Sequence, residues 1–250
     1  MIKHTLKCVP ISLSPLCRSL RTTKRRALVK GWEISGLLVA RYYTRLLRQH
    51  GHSPQALAER ASDKDLVFYQ HLFDGVDLSA PISVLDVGCG MGDLIDFIQS
   101  QNVAINSYLG IDLVEAFVDI CRNEYLPPCR FQQANFVSTS FAPCEQFDLV
   151  VNMGVLVSRV IGYERYVAYC IEKMLALSTK HVLFNIITEV DPSFGNYVST
   201  HRIGHITYLP KQRLEEILAQ ATRDIAAEYY IHEVCIYPDA TDAFVRITRH

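Results

Sequence analysis

Val84-Leu85-Asp86-Val87-Gly88-Cys89-Gly90-Met91-Gly92-Asp93 is the stretch on which the reading of this 250-residue chain turns. Apolar Ile82, Val84, Leu85 and Val87 predict a buried parallel strand that ends in an acid. Three alternating glycines then predict a tight turn, and Leu94, Ile95, Phe97 and Ile98 carry helical spacing. Such a βα turn brings backbone close to a nucleotide. The dinucleotide fingerprint requires a third glycine at its sixth position for close helix–strand packing, and counting from Gly88 that position is Asp93. A carboxylate at a helix start repels a pyrophosphate, and Asp86 adds a second negative charge at the same mouth. The turn therefore favours a ligand that carries positive charge.

Three later stretches fall into place behind it. Tyr108-Leu109-Gly110-Ile111-Asp112 reads as a second strand ending in an acid, 24 residues after Gly88. Arg130 to Ala134 reads as a third strand followed by Asn135-Phe136, and Gln146-Phe147-Asp148-Leu149-Val150-Val151-Asn152 as a fourth. Together with the opening Asp86-x-Gly88-x-Gly90-x-Gly92, this series resembles the class I S-adenosylmethionine-dependent methyltransferases over roughly residues 60 to 250. The cofactor carries a sulfonium and an α-ammonium and has no phosphate, which agrees with the charge argument. The resemblance implies that Asp112 accepts both ribose hydroxyls, that Asn135 and Phe136 meet the adenine, and that the end of the fourth strand faces the transferred methyl. Asn135 stands where the family more usually has an acid.

Outward from these motifs the strands are expected near residues 82–87, 106–111, 129–134, 146–152 and 181–188, with helices near 91–101, 114–124 and 163–177. That alternation specifies a doubly wound α/β sheet with helices on both faces. A proline-started helix from Pro210 to Ala221 and strands Ile225–Glu233 and Asp242–Thr248 follow. The resemblance implies seven mostly parallel strands in the order 3-2-1-4-5-7-6. Ahead of this catalytic domain, expected at 76–250, apolar residues from Ala27 to Gln49 recur at helical spacing, as one or two helices. Short helices are expected at Pro54–Arg60 and Asp63–Phe73, with Ser53 and Ser62 as N-caps. Residues 31–75 are thus a helical lid, and residues 1–30 a basic N-terminal arm.

Composition bounds the partners. Hydrophobic residues make up 49% of the chain, enough for one large α/β core. The net charge of −1 excludes a general nucleic-acid footprint, so no DNA partner is expected. The charge is uneven: residues 1–32 hold eight of the 25 Lys and Arg and none of the 26 Asp and Glu. Such a start reads as a surface arm or as an organellar transit segment, and a cytoplasmic location is the first expectation. The eight cysteines form no CxxC pair, so free thiols and no metal centre are expected. No stretch approaches the roughly 20 apolar residues of a membrane span. Oligomeric state leaves no trace.

The cofactor-binding candidates are Asp86, Gly88, Cys89, Gly90, Asp93, Leu94, Asp112, Leu113, Asn135, Phe136, Asn152, Met153 and Gly154, all at or beside the carboxyl ends of predicted strands, where ligands bind in open α/β sheets. A general base is needed only if the accepting atom keeps its proton. The long stretch from Thr188 to Tyr208 offers Glu189, Asp191, Tyr197, His201, His205 and Tyr208. The lid offers Lys64, Tyr69 and His71, whereas His181 begins its strand and so belongs to the far edge. His201-x-x-x-His205 lacks an acid and a third ligand for zinc. Asn152-Met153-Gly154-Val155 lacks the two prolines of the base- and amide-methylating relatives. The expected acceptor is a small molecule methylated at O or N, with S-adenosylhomocysteine as product. The competing expectation is a protein of this fold that binds RNA or an acidic partner through its basic arm.

Overall fold

A computed structural model describes residues 23–58, 65–191, 193 and 206–250. The basic arm before residue 23, Arg60, Ser62, Lys64, Tyr197, His201 and His205 lie outside the described residues. The elements in chain order are α1 (Thr23–His50), a 3₁₀ turn (Pro54–Leu57), α2 (Asp65–Leu72), β1 (Ile82–Val87), α3 (Asp93–Ser100), β2 (Ile105–Asp112), α4 (Glu115–Glu124), β3 (Cys129–Gln133), β4 (Phe147–Asn152), α5 (Tyr163–Leu177), β5 (Ser178–Val190), α6 (Lys211–Thr222), β6 (Ala227–Tyr237) and β7 (Ala240–Arg249). The strands form one seven-stranded sheet in the order 3-2-1-4-5-7-6. β3, β2, β1, β4 and β5 run parallel, and β7 is antiparallel to both β5 and β6.

Period-two alternation divides the core into two layers. Leu85, Val87, Leu109, Ile111, Val150, Val182, Phe184 and Ile186 turn to one face, where α1, α5 and α6 supply Trp32, Val167, Ile171 and Leu214. Val84, Tyr108, Leu149, Val151, Leu183 and Phe244 turn to the other, against Leu94, Ile95 and Ile98 of α3 and Val118 of α4. Helices thus cover both faces, as the continuous apolar runs of the central strands require. β6, at the edge, is only half-buried along its length.

One local expectation is narrowed and two change. The periodic stretch expected as one or two helices is a single helix of 28 residues, continuous through Gly31 and Gly36. Gly36 is accommodated because α1 lies close on the loop after β3: a Cβ there would stand 3.0 Å from Asn135 Nδ2. The helix expected at Pro54–Arg60 is a four-residue 3₁₀ turn that ends at Ala58 in the left-handed region, and Ser53 donates to the His50 carbonyl and does not cap it. β5 starts at once after α5, three residues earlier than expected, where Ser178 pairs with Phe147 of β4, and it runs on to Val190, where β7 still pairs with it. Among the described residues Cys89, Cys121, Cys129, Cys170 and Cys235 are free thiols.

Trp32 fastens α1 to the body. It is 3% exposed, its Nε1 donates to the Ile161 carbonyl at 2.8 Å, and its ring meets Tyr166 and Tyr169 at 5.9 and 5.1 Å. Trp32→Ala is expected to cost about 3–5 kcal/mol of unfolding free energy and Trp32→Phe only about 1 kcal/mol, read from chemical denaturation. Amide exchange along α1 rises in the alanine variant if the anchor holds the helix.

Candidate functional site

The glycine turn is held by the neighbouring strand. Backbone N–H groups of Gly88 and Cys89 both donate to the Ile111 carbonyl, at 2.8 and 3.0 Å, so the chain bends over the end of β2. Gly88 has φ +83°, and a Cβ on it would lie 2.1 Å from Val155 Cγ2. Gly92 has φ +102°, with the Tyr125 ring in the space of its missing side chain. These two glycines are therefore required by backbone conformation and by packing from within the chain.

Carboxylates accumulate around this turn. Asp86 is 2% exposed, and the Tyr108 hydroxyl donates to its Oδ2. Burial pushes its pKa up to about 7 against that hydrogen bond, with the negative charges of Asp112 and Asp93 adding to the rise. Asp112 accepts from the Gly90 N–H at 3.2 Å and from the Val114 N–H at 2.7 Å. Its burial outweighs these bonds and raises its pKa to about 6. Asn135 forms an Asx turn, its Oδ1 accepting from Val137 N–H at 3.2 Å.

A cleft of about 600 Å³ opens above the carboxyl ends of β1, β2 and β4. Gly88, Cys89, Gly90, Asp93, Asp112, Leu113, Asn135, Phe136, Met153 and Gly154 line it, so the structure brings ten of the thirteen sequence-predicted residues to one surface. Asp86, Leu94 and Asn152 lie beneath, at 2%, 1% and 0% exposure. Neither polar atom of the Asn152 amide has a hydrogen-bond partner. Among the long-loop candidates, Glu189 is exposed and Tyr208 is half-buried, and neither lines the cleft. Asp191 is exposed and turns its carboxylate to Ser193. Tyr69 of the lid does line the cleft, while His71 packs on His232 and Phe244.

Several lining residues escaped the sequence reading. Trp32, Ala40 and Tyr43 of α1 and Tyr166 of α5 also line the cleft. Asn185, Tyr237, Asp239 and Asp242 close the end above β5 and β7. Asn185 had a signal, a single amide inside the apolar run Val182–Ile187. Its Oδ1 accepts from Gly154 N–H at 2.7 Å and its Nδ2 donates to Asp242 Oδ1 at 3.3 Å, which ties β7 to the loop after β4. Asp242 was legible in principle, because an antiparallel strand starts on the edge where its parallel neighbours end.

The lining decides the electrostatics. Among the described residues it includes the carboxylates of Asp93, Asp112, Asp239 and Asp242 and no Lys, Arg or His. A phosphate ester has no cation to meet there, whereas a sulfonium or an ammonium meets negative charge at both ends.

Residues 84–174 match the family model described as methyltransferase domain. No curated protein sequence matches the chain. The DhpI–S-adenosylhomocysteine complex superposes with a TM-score of 0.59 at 14% identity, covering 87% of this chain and 97% of that one. Magnesium protoporphyrin IX methyltransferase from Synechocystis PCC 6803, solved with S-adenosylhomocysteine, gives 0.56 at 15% over 86% and 100%. The N-methyltransferase NodS from Bradyrhizobium japonicum WM9 gives 0.56 at 15% over 84% and 98%. That domain match over residues 84–174 and this strand order give the chain the fold of the class I S-adenosylmethionine-dependent methyltransferases.

Both raised carboxylates make stability depend on pH with a definite sign. Their folded pKa values exceed the unfolded value near 4, so the folded state holds more protons than the unfolded state between about pH 4 and 7. The unfolding free energy of ligand-free protein is expected to fall across that window as pH rises, and Asp86→Asn to flatten the decline and gain ~1–3 kcal/mol at pH 8. A variant whose profile parallels the parent would contradict this. Gly88→Ala is expected to lose about 3 kcal/mol in chemical denaturation, from left-handed strain plus overpacking on Val155. Val155→Ala in the same chain relieves only the packing part.

Proposed function

We propose that the protein transfers a methyl group from S-adenosylmethionine to an O or N atom of a small-molecule acceptor. The observation that carries this reading is the cleft itself, a glycine turn and the Asp112 carboxylate in a lining without a basic side chain among the described residues. The residues present fit the cofactor. Asp112 offers acceptor oxygens to vicinal ribose hydroxyls, Leu113 and Phe136 offer apolar walls to a purine, and Asn135 offers an amide to its edge. Asp93 and the turn meet the cationic amino-acid part. When bound, the cofactor supplies an already activated methyl on a sulfonium.

What remains for the chain is alignment and exclusion of water. Met153 and Gly154 border the region above β4, and the Asn185 bridge holds that border in place. Trp32, Ala40 and Tyr43 line the cleft from α1 and Tyr69 lines it from α2, which supports reading these two helices as its lid. Tyr69, Tyr237, Asp239 and Asp242 are titratable lining residues at the acceptor end, and a proton leaving the acceptor has these to reach. Glu189 and Tyr208 stand outside the cleft lining and are not part of this proposal. The cleft, and not the basic arm, carries the reading, so RNA or an acidic partner of that arm is not proposed as the function.

Titration calorimetry is expected to show binding of S-adenosylmethionine and S-adenosylhomocysteine, undisturbed by nicotinamide dinucleotides. Absence of binding by folded protein would refute the reading. Asp112→Ala is expected to weaken both ligands about a hundredfold, since charge-assisted hydrogen bonds of ~1.5–3 kcal/mol are lost. The affinity of the parent protein is expected to fall as pH drops through about 6, where Asp112 takes up a proton.

A further inference from the structure

The outward face of α1 carries an exposed aliphatic patch between two groups of cations. Ile34, Leu37 and Leu38 are 58%, 64% and 43% exposed, the largest concentration of exposed apolar side chains on any one described helix. Arg26 and Lys30 stand on the same face before them, and Arg41, Arg45 and Arg48 after them, all exposed. At 100° per residue these positions fall within one outward arc, while Trp32, Gly36, Val39 and Tyr43 fall on the opposite arc and face the cleft. None of the five cations makes an ion pair among the described residues, although Arg45 lies over the Tyr42 ring. Glu33 is the one acid in the helix.

We infer that this face docks on an anionic lipid surface, with α1 lying in the interface plane. Aliphatic side chains in the middle call for hydrocarbon, and long basic side chains at both ends can bury their stems and keep their charges among headgroup phosphates. From Lys30 to Arg48 the face runs about 27 Å at 1.5 Å per residue, long enough for every cation to reach the surface at once. No helix among the described residues is long and apolar enough to cross a membrane, so the contact lies on the surface and does not span it. A second copy fits poorly, because a two-fold contact would set like charges against each other. Nucleic acid fits poorly as well, because the centre of the face is aliphatic and offers little for a base to stack on. Docking in this pose places the cleft one helix diameter, about 10 Å, from the lipid, with α1 as the wall between them.

The test is cosedimentation of the full chain with vesicles of phosphatidylcholine alone and of three parts phosphatidylcholine to one part phosphatidylglycerol. The protein is expected to pellet with the anionic vesicles, to stay in solution with the neutral ones, and to be released by raised salt. Arg41→Glu with Arg45→Glu is expected to lower partitioning more than tenfold, and Ile34→Ser with Leu37→Ser severalfold. These four side chains do not line the cleft, so cofactor affinity is expected to stay at the parent level in both double variants, which also reports that they fold. Failure of the parent to bind the cofactor would strike the proposed activity and leave this test readable. The inference is overturned if the parent ignores anionic vesicles, binds both kinds equally, or pellets as well when either pair is substituted. It is also overturned if Ile34→Ser with Leu37→Ser dissolves a dimer seen by sedimentation, or if single-stranded RNA displaces the vesicles.

Discussion

Everything in this molecule depends on how the chain leaves β1. The strand ends under a turn whose first two N–H groups share the Ile111 carbonyl, and this fixes the turn to the end of β2. Only a residue without Cβ fits at Gly88, where Val155 fills the space, and the same close fit joins the loops after β1 and β4. From this junction α3 departs on one side and Asp112 receives the Gly90 N–H on the other. The strand ends β1, β2 and β4 are therefore one rigid floor, and the cleft is the space above it.

That floor is charged at an energetic cost to the fold. Asp86 is buried with only the Tyr108 hydroxyl for company, and Asp112 keeps its carboxylate against desolvation by accepting backbone N–H groups. A fold selected for stability alone would place apolar side chains at such strand ends, since an unmatched buried charge is destabilising. Retained negative charge in a lining without Lys, Arg or His has a physical rationale when a cationic ligand completes it. The fold alone does not carry that conclusion, because one architecture hosts many chemistries.

The two faces of α1 complete this picture. Its inner arc lines the cleft, anchored by Trp32, and its outer arc is apolar at the centre and basic at both ends. A single amphipathic helix thus separates the chamber from whatever lies outside, and neither of its arcs has the uninterrupted apolar character of a core helix.

The amino-acid sequence by itself determined the class of fold, the strand order through its resemblance, and most of the floor of the cleft. These follow from local rules: period-two apolar strands, a turn of alternating glycines, and acids at strand ends. Asp112 and Asn135 could be named because each stands a fixed number of residues from its own strand. Only the tertiary structure decided the rest. It buried Asp86, Leu94 and Asn152 below the cleft lining, because alternation assigns a residue to a face of the sheet but does not say how close loops pack above its end. It left Glu189 exposed and brought in Asn185 and Asp242, because that end of the cleft is built where the antiparallel β7 meets β5, a pairing between residues 57 positions apart. It joined one long helix to the body through Trp32, 129 residues from its carbonyl partner. Contacts of that range arise from the closing of the sheet and its layers, and no window of the sequence contains them.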